Sequence, residues 1–251
     1  MGVGDFHLLY FCLNQPLGVE MKSSKLAVYI GYDPKEEIAW EVANYSLQRH
    51  SSIPINVFKL KQDYLRNTGL YLREKDHKAS TEFSLTRFLT PYLANAFEWA
   101  IFVDCDFLFT SDVNTIFEEV DFEKPLHVVK HDYIPHKRMK MDGVQQTIYP
   151  RKNWSSFMLF NVHHSELKNL TPKYVNQAEP SELHQFKWLD DSNIGNLDIK
   201  WNFLEGEYPP SMNTPTAIHY TNGGPWFEEW QDVDYENLWL EEKRMFENSG
   251  R

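Results

Sequence analysis

The segment Trp99–Phe109 (WAIFVDCDFLF) is the most apolar stretch of the chain, yet two carboxylates are set into it. A run this hydrophobic reads as a central strand covered on both faces, the kind found in parallel sheets. The opening of the chain points the same way. Lys25–Tyr32 (KLAVYIGY) is a β-rich run stopped by Gly31, Asp33 and Pro34, which are turn chemistry. Lys35–His50 then places Ile38, Val42, Tyr45 and Leu47 at helical spacing, with acids in its first turn and Arg49 and His50 in its last. Ile55–Leu60 is a second strand, so the pattern is βαβ and the expected class is α/β with a mostly parallel central sheet.

Further along, residues 62–79 are polar and read as loop. Ser80–Leu93 predicts a helix kinked near Pro91, and Leu126–Lys130 and Phe157–Val162 predict strands. Glu228–Asn248 is an amphipathic tail expected to pack back on the body. No linker, repeat or low-complexity tract divides the chain. Residues 1–20 are expected to be a dispensable leader, because Met21 opens a segment that soon becomes strand, and 21–251 one domain.

Composition narrows the partners. The net charge of −11 argues against a general nucleic-acid binder, which needs cations in excess to neutralise phosphate. It still allows one small polyphosphate, provided that a metal supplies positive charge. Two cysteines, Cys12 and Cys105, exclude a disulfide framework. No apolar run has the ~18 residues needed to span a bilayer, and Phe6–Leu13 makes a poor secretory signal. The expectation is a soluble cytoplasmic protein, with peripheral contact to the inner face of a membrane left open. Residues 130–140 (KHDYIPHKRMK) form a basic island that suits an anionic glycolipid, a bilayer surface or a phosphate.

Asp104 and Asp106 carry the strongest chemical signal. In an extended chain residues i and i+2 face the same way, so both carboxylates meet at one spot. Two adjacent anions are costly unless a cation lies between them. A divalent, oxygen-preferring ion, Mn²⁺ or Mg²⁺, is the natural partner. Asp112 is better placed than either to cap a following helix. Strand-end acidic pairs also occur in haloacid-dehalogenase-type phosphatases. There the pair is followed two residues later by Thr or Val, where this chain has Leu108, and it sits on the first strand. Asp190-Asp191 imitates their later acidic motif.

Several segments, taken in order, resemble the family 8 glycosyltransferases, the group of glycogenin and the bacterial lipopolysaccharide galactosyl- and glucosyltransferases. They are Ile30-Gly31-Tyr32-Asp33, Phe83–Phe88 (FSLTRF), Ile101–Asp106 as the DxD motif, Trp154–Asn161 (WSSFMLFN), Leu189–Ile194 (LDDSNI), Trp201-Asn202 and His219–Trp226 (HYTNGGPW). The likeness spans roughly residues 25–227 and looks closer to a bacterial or phage subgroup than to glycogenin.

The resemblance implies a GT-A fold, a Rossmann-like α/β/α sandwich binding a nucleotide sugar at the carboxyl ends of its strands. It implies that Tyr32 and Asp33 hold the base and ribose, that Arg87 contacts the donor, and that Asp104, Asp106 and His219 ligate Mn²⁺. His219 opens a glycine loop in which Gly223 and Gly224 let backbone N–H groups approach an anion. Asp191, and with it Asp190, corresponds to the acidic segment near the reacting sugar carbon, where a nucleophile is one option. The implied reaction is transfer of a hexose from a UDP-sugar, with retention, to a carbohydrate, glycolipid or protein hydroxyl.

Two departures stand out. The family's lysine before Pro-Trp is Gly224 here, leaving Arg151, Lys152, Lys130 and Lys137 as candidate phosphate cations. The family's Asn-Ser-Gly donor-sugar segment is Trp154-Ser155-Ser156. The missing lysine also keeps a second class in view, a non-catalytic sugar- or nucleotide-binding module of the same fold. Trp226, Phe227 and Trp230 could stack on a sugar ring.

Overall fold

The computed structural model describes residues 25–74, 81–132 and 150–250. The proposed leader, Lys137 and most of the basic island lie outside the described residues.

Strand β1 (Leu26–Gly31) is buried along its whole length. Asp33 ends it by capping a turn, its carboxylate accepting from the Lys35 N–H, with Pro34 at the first helical position. The long helix Glu37–His50 follows and buries Ala39, Trp40, Val42, Ala43 and Leu47. The chain returns as β2 (Asn56–Leu60), parallel to β1, and β3 (Trp99–Val103) pairs parallel on the other side of β1. With β5 (Leu126–Val128), β6 (Phe157–Asn161) and β7 (Ile194–Asn196) these form a six-stranded sheet ordered β2-β1-β3-β6-β5-β7 among the described residues. Only β6 runs against the others, so the sheet is mostly parallel, as the βαβ opening requires. Glycine is required at the end of β1, because a Cβ on Gly31 would lie 2.5 Å from the Phe83 ring.

The apolar run Trp99–Phe109 is not one strand. β3 ends at Val103, residues 104–106 turn, and β4 (Phe107–Phe109) joins a different, three-stranded sheet with β9 (Ala217–His219) and β8 (Phe203–Leu204). The reason lies in the two carboxylates. An uninterrupted buried strand would seal them from solvent. The turn keeps Cys105 fully buried while Asp104 and Asp106 stay partly open.

Other boundaries also differ. Within Ser80–Leu93 the structure has turns, a 3₁₀ segment Thr86–Leu89 and one α-helical turn Thr90–Leu93. Pro91 starts that turn instead of kinking a longer helix, a place where its missing N–H costs nothing. The polar stretch 62–79 contains a short helix, Gln62–Asn67, anchored by the buried Leu65. In the tail, Glu228–Trp230 is a 3₁₀ turn and the helix proper is Glu236–Asn248. It packs on the first long helix through Tyr45 against Phe246, with ring centroids 5.9 Å apart, and through an ion pair between Arg49 and the buried Glu242. Trp239 completes a second, smaller core with Val42, Leu108, Ile218 and Tyr220. Among the described residues no helix is long and apolar enough to cross a membrane.

Candidate functional site

The turn between β3 and β4 is pinned from both sheets. The Asp104 N–H donates to the Ser156 carbonyl, 3.0 Å, and the Tyr220 N–H donates to the Asp106 carbonyl, 3.0 Å. Register does the rest, since Phe107 lies opposite His219 in the second sheet. One ligand atom each from Asp104, Asp106 and His219 therefore falls within 4.8 Å of the others. This is the convergence expected from the sequence, reached through a turn rather than an extended strand.

His219 is almost fully buried and its ring is fixed on both edges and on one face. It stacks on Phe107 with centroids 4.4 Å apart, Nδ1 lies 2.9 Å from Asn202 Oδ1, and Nε2 lies 3.3 Å from Asp106 Oδ1. Arg87, also buried, places Nη1 2.9 Å from Asp104 Oδ1 and donates to the Ser155 carbonyl at 2.9 Å. Its guanidinium lies over the Phe102 and Phe83 rings, 4.9 and 5.4 Å from their centroids. Two carboxylates and one imidazole able to contact a single centre form a donor set that fits a divalent metal ion.

The other expected site residues are placed more variously. Tyr32 lies at the end of β1, with Lys61 Nζ 4.5 Å and Lys59 Nζ 4.9 Å from its ring centroid. Its hydroxyl donates to Glu37 at 3.1 Å, and burial, then Glu37, raise its pKa. Asp33 is buried with both oxygens engaged, one on the Lys35 N–H and the other on the Glu82 N–H, each 3.0 Å. It thus ties the end of β1 to the segment that leads to Arg87. The Gly223 N–H donates to the Tyr220 carbonyl at 2.9 Å. A Cβ on Gly223 would lie 2.8 Å from the Trp230 ring, and one on Gly224 2.1 Å from the Trp226 ring, so indole packing favours glycine at both, and Gly223 also holds a φ of +129° that L side chains rarely adopt.

Asp191 is exposed and pairs with Arg151, while Asp190 is exposed at the start of the same 3₁₀ turn. Among the candidate phosphate cations, Arg151 is committed to Asp191 and the Gln185 carbonyl, and Lys130 Nζ donates to the Ile194 carbonyl at 2.7 Å. Lys152 is buried. It precedes Asn153, whose amide nitrogen is 3.3 Å from Thr221 Oγ1, just past His219.

Two further histidines, which no sequence motif marks, lie near this site. His184 places Nδ1 2.9 Å from Ser155 Oγ, directly behind Arg87. Burial, then Arg87, pushes its pKa down to about 3. His131 places Nδ1 3.0 Å from the Tyr208 hydroxyl, and burial, then the neighbouring His219, lowers its pKa to about 3. Neither sits in a spacing that marks it, because each partner is brought in from a distant segment.

No family model matches the chain. Among solved structures, the apo form of the bifunctional glycosyltransferase WbbM superposes with a TM-score of 0.63 at 16% identity, covering 90% of this chain and 50% of that one. The glycosyltransferase GlyE of Streptococcus pneumoniae TIGR4 gives 0.57 at 17% identity, covering 88% of this chain and 62% of that one. The galactosyltransferase LgtC, in complex with donor and acceptor sugar analogues, gives 0.54 at 11%, covering 87% and 95%. The chain spans about half the length of WbbM and under two thirds of GlyE. These likenesses establish the fold as the Rossmann-like GT-A fold of glycosyltransferases. In sequence, 229 residues are 44% identical to Protein CDI of Arabidopsis thaliana, covering 89% of this chain and 88% of that plant protein. The chain belongs to the family of Protein CDI.

Proposed function

We propose that this protein is a metal-dependent, retaining glycosyltransferase that moves a hexose from a UDP-sugar to an acceptor hydroxyl. The observation that carries the reading is the Asp104–Asp106–His219 cluster at the sheet seam of a glycosyltransferase fold. A bound Mn²⁺ or Mg²⁺ would offset the charge that gathers on the departing diphosphate.

The chain's own residues do the positioning. Arg87 holds the Asp104 carboxylate against the end of β3, and Asn202 and Phe107 orient His219. Tyr32, with Asp33 fixing the turn beneath it, borders the nucleoside end. The loop of Gly223 and Gly224 borders the phosphates, and Arg151, Lys152, Lys130 and Lys137 are the candidate substitutes for a lysine before Pro225. Asp191, with Asp190 beside it, borders the sugar, its carboxylate held by Arg151. The acceptor hydroxyl belongs to a carbohydrate, glycolipid or protein in the cytoplasm, met at the inner membrane face where it is a glycolipid.

The test is UDP release by purified protein from a panel of UDP-sugars, with and without Mn²⁺. Metal-dependent release from one donor, abolished by Asp106→Asn, is the expected result. Release that is indifferent to Mn²⁺ and to that substitution would overturn the reading. Gly224 in place of the lysine favours one second reading, a module that binds the nucleotide sugar without transfer. It would show a donor-dependent thermal shift and no turnover.

A further inference from the structure

The buried amide of Asn202 has one orientation that satisfies its neighbours. Its Nδ2 donates to the Asn153 carbonyl at 3.0 Å and to Ser156 Oγ at 2.9 Å. A carbonyl oxygen can only accept, so the nitrogen must be on that side. Asn202 Oδ1 then faces His219 Nδ1 at 2.9 Å. An amide oxygen has no proton to give, so the hydrogen in this contact sits on Nδ1. That leaves Nε2, 3.3 Å from Asp106 Oδ1, as the nitrogen that faces the carboxylates and any cation they hold.

We infer that Asn202 is a positioning residue that keeps a proton on His219 Nδ1 and so presents Nε2 to a divalent cation shared with Asp104 and Asp106. The inference rests on the metal-dependent reading above. A free histidine has no such constraint, and which ring nitrogen is available is set by the bond that the other one makes. Asn202 is itself held by the turn Asn153–Ser156, whose Ser156 carbonyl also receives the Asp104 N–H. One short turn thereby sets a carboxylate ligand and the imidazole together. The stacked Phe107 ring keeps His219 from rotating out of this arrangement.

The experiment uses the whole chain labelled with ¹⁵N-histidine, without metal, at a pH well above the ordinary imidazole range. Long-range ¹H–¹⁵N correlations should show the proton on Nδ1 in the wild type, and a loss of that preference in Asn202→Leu. Finding the wild-type proton on Nε2 would overturn the inference without any variant. In parallel, Mn²⁺ binding followed by electron paramagnetic resonance should weaken about 10–100-fold in Asn202→Leu. Asn202→Asp, which keeps an acceptor for Nδ1–H but sets a second oxygen against the Asn153 carbonyl, should recover only part of that loss. Equal Mn²⁺ affinity in wild type and a folded Asn202→Leu would also overturn it. An Nδ1–H wild type that binds no Mn²⁺ would instead defeat the metal-dependent reading and leave the tautomer assignment standing.

Discussion

Arg87 Nη1 lies 2.9 Å from Asp104 Oδ1, and both side chains are largely buried. Such a pair is costly to break, because the surviving charge has lost its partner in a poorly solvated place. Arg87→Met should therefore destabilise the protein by about 3 kcal/mol. Mn²⁺ should return part of the loss in melting temperature, since a cation on Asp104 restores compensation. Thermal melts of wild type and variant, with and without Mn²⁺, check this. A variant as stable as the wild type without metal would contradict it.

Three histidines are held neutral by burial, His131 and His184 with pKa about 3 and His127 about 4, against an ordinary 6.5. Between those values the unfolded chain binds protons that the folded one does not. Stability is full above about pH 6.5 and falls as the pH drops toward 4, by up to about 1.4 kcal/mol per pH unit for each group. Denaturant titrations at pH 7, 6 and 5 should show the decline, and His184→Gln should make it shallower. An unchanged slope in that variant would exclude His184 as a contributor.

Gly31 faces the ring of Phe83, which in turn lies under Arg87. Gly31→Ala must push that ring, because its Cβ would sit 2.5 Å away. A stability loss of about 1–3 kcal/mol is expected, with weaker Mn²⁺ binding as Arg87 shifts on Asp104. Calorimetric titration of the variant reads both its folded fraction and its affinity.

The Arg151–Asp191 pair behaves differently, because 79% of the Asp191 side chain is exposed. Asp191→Asn should change stability by less than about 1 kcal/mol. If Asp191 borders the donor sugar, turnover should nonetheless fall more than about tenfold, or 1.4 kcal/mol of barrier. Denaturation and UDP-release assays on one preparation separate the two effects.

The C-terminal helix is integral to the second core. Trp239→Ala should cost about 3–5 kcal/mol through the cavity left beside Val42, Leu108, Ile218 and Tyr220. A small change on denaturation would mean that the helix frays away without consequence.

Much of this was legible in the sequence where local pattern and tertiary role coincide. The βαβ opening follows from apolar runs punctuated by Gly31, Asp33 and Pro34, and the convergence of Asp104 and Asp106 follows from carboxylates set in an apolar run. The break of that run between two sheets was not legible. Hydrophobicity marks Phe107–Phe109 as buried without saying in which sheet. The short helix Gln62–Asn67 was missed because its polar residues hide one anchoring leucine. The partners of His131, His184 and His219 come from Tyr208, Ser155 and Asn202, contacts that no spacing encodes. The two glycines after His219 read as an approach for an anion, and the close packing of the Trp230 and Trp226 indoles on them was not legible in the spacing.

The seam at residues 104–106 has one more effect. Asp104 follows a strand of the larger sheet, while Asp106 and His219 are fastened to the smaller one. The spacing of the three groups therefore works as a gauge of how the sheets are joined. Any slippage of one against the other spoils the cluster before it exposes either core, so the site should fail early in thermal or chemical inactivation, while most of the secondary structure is still intact.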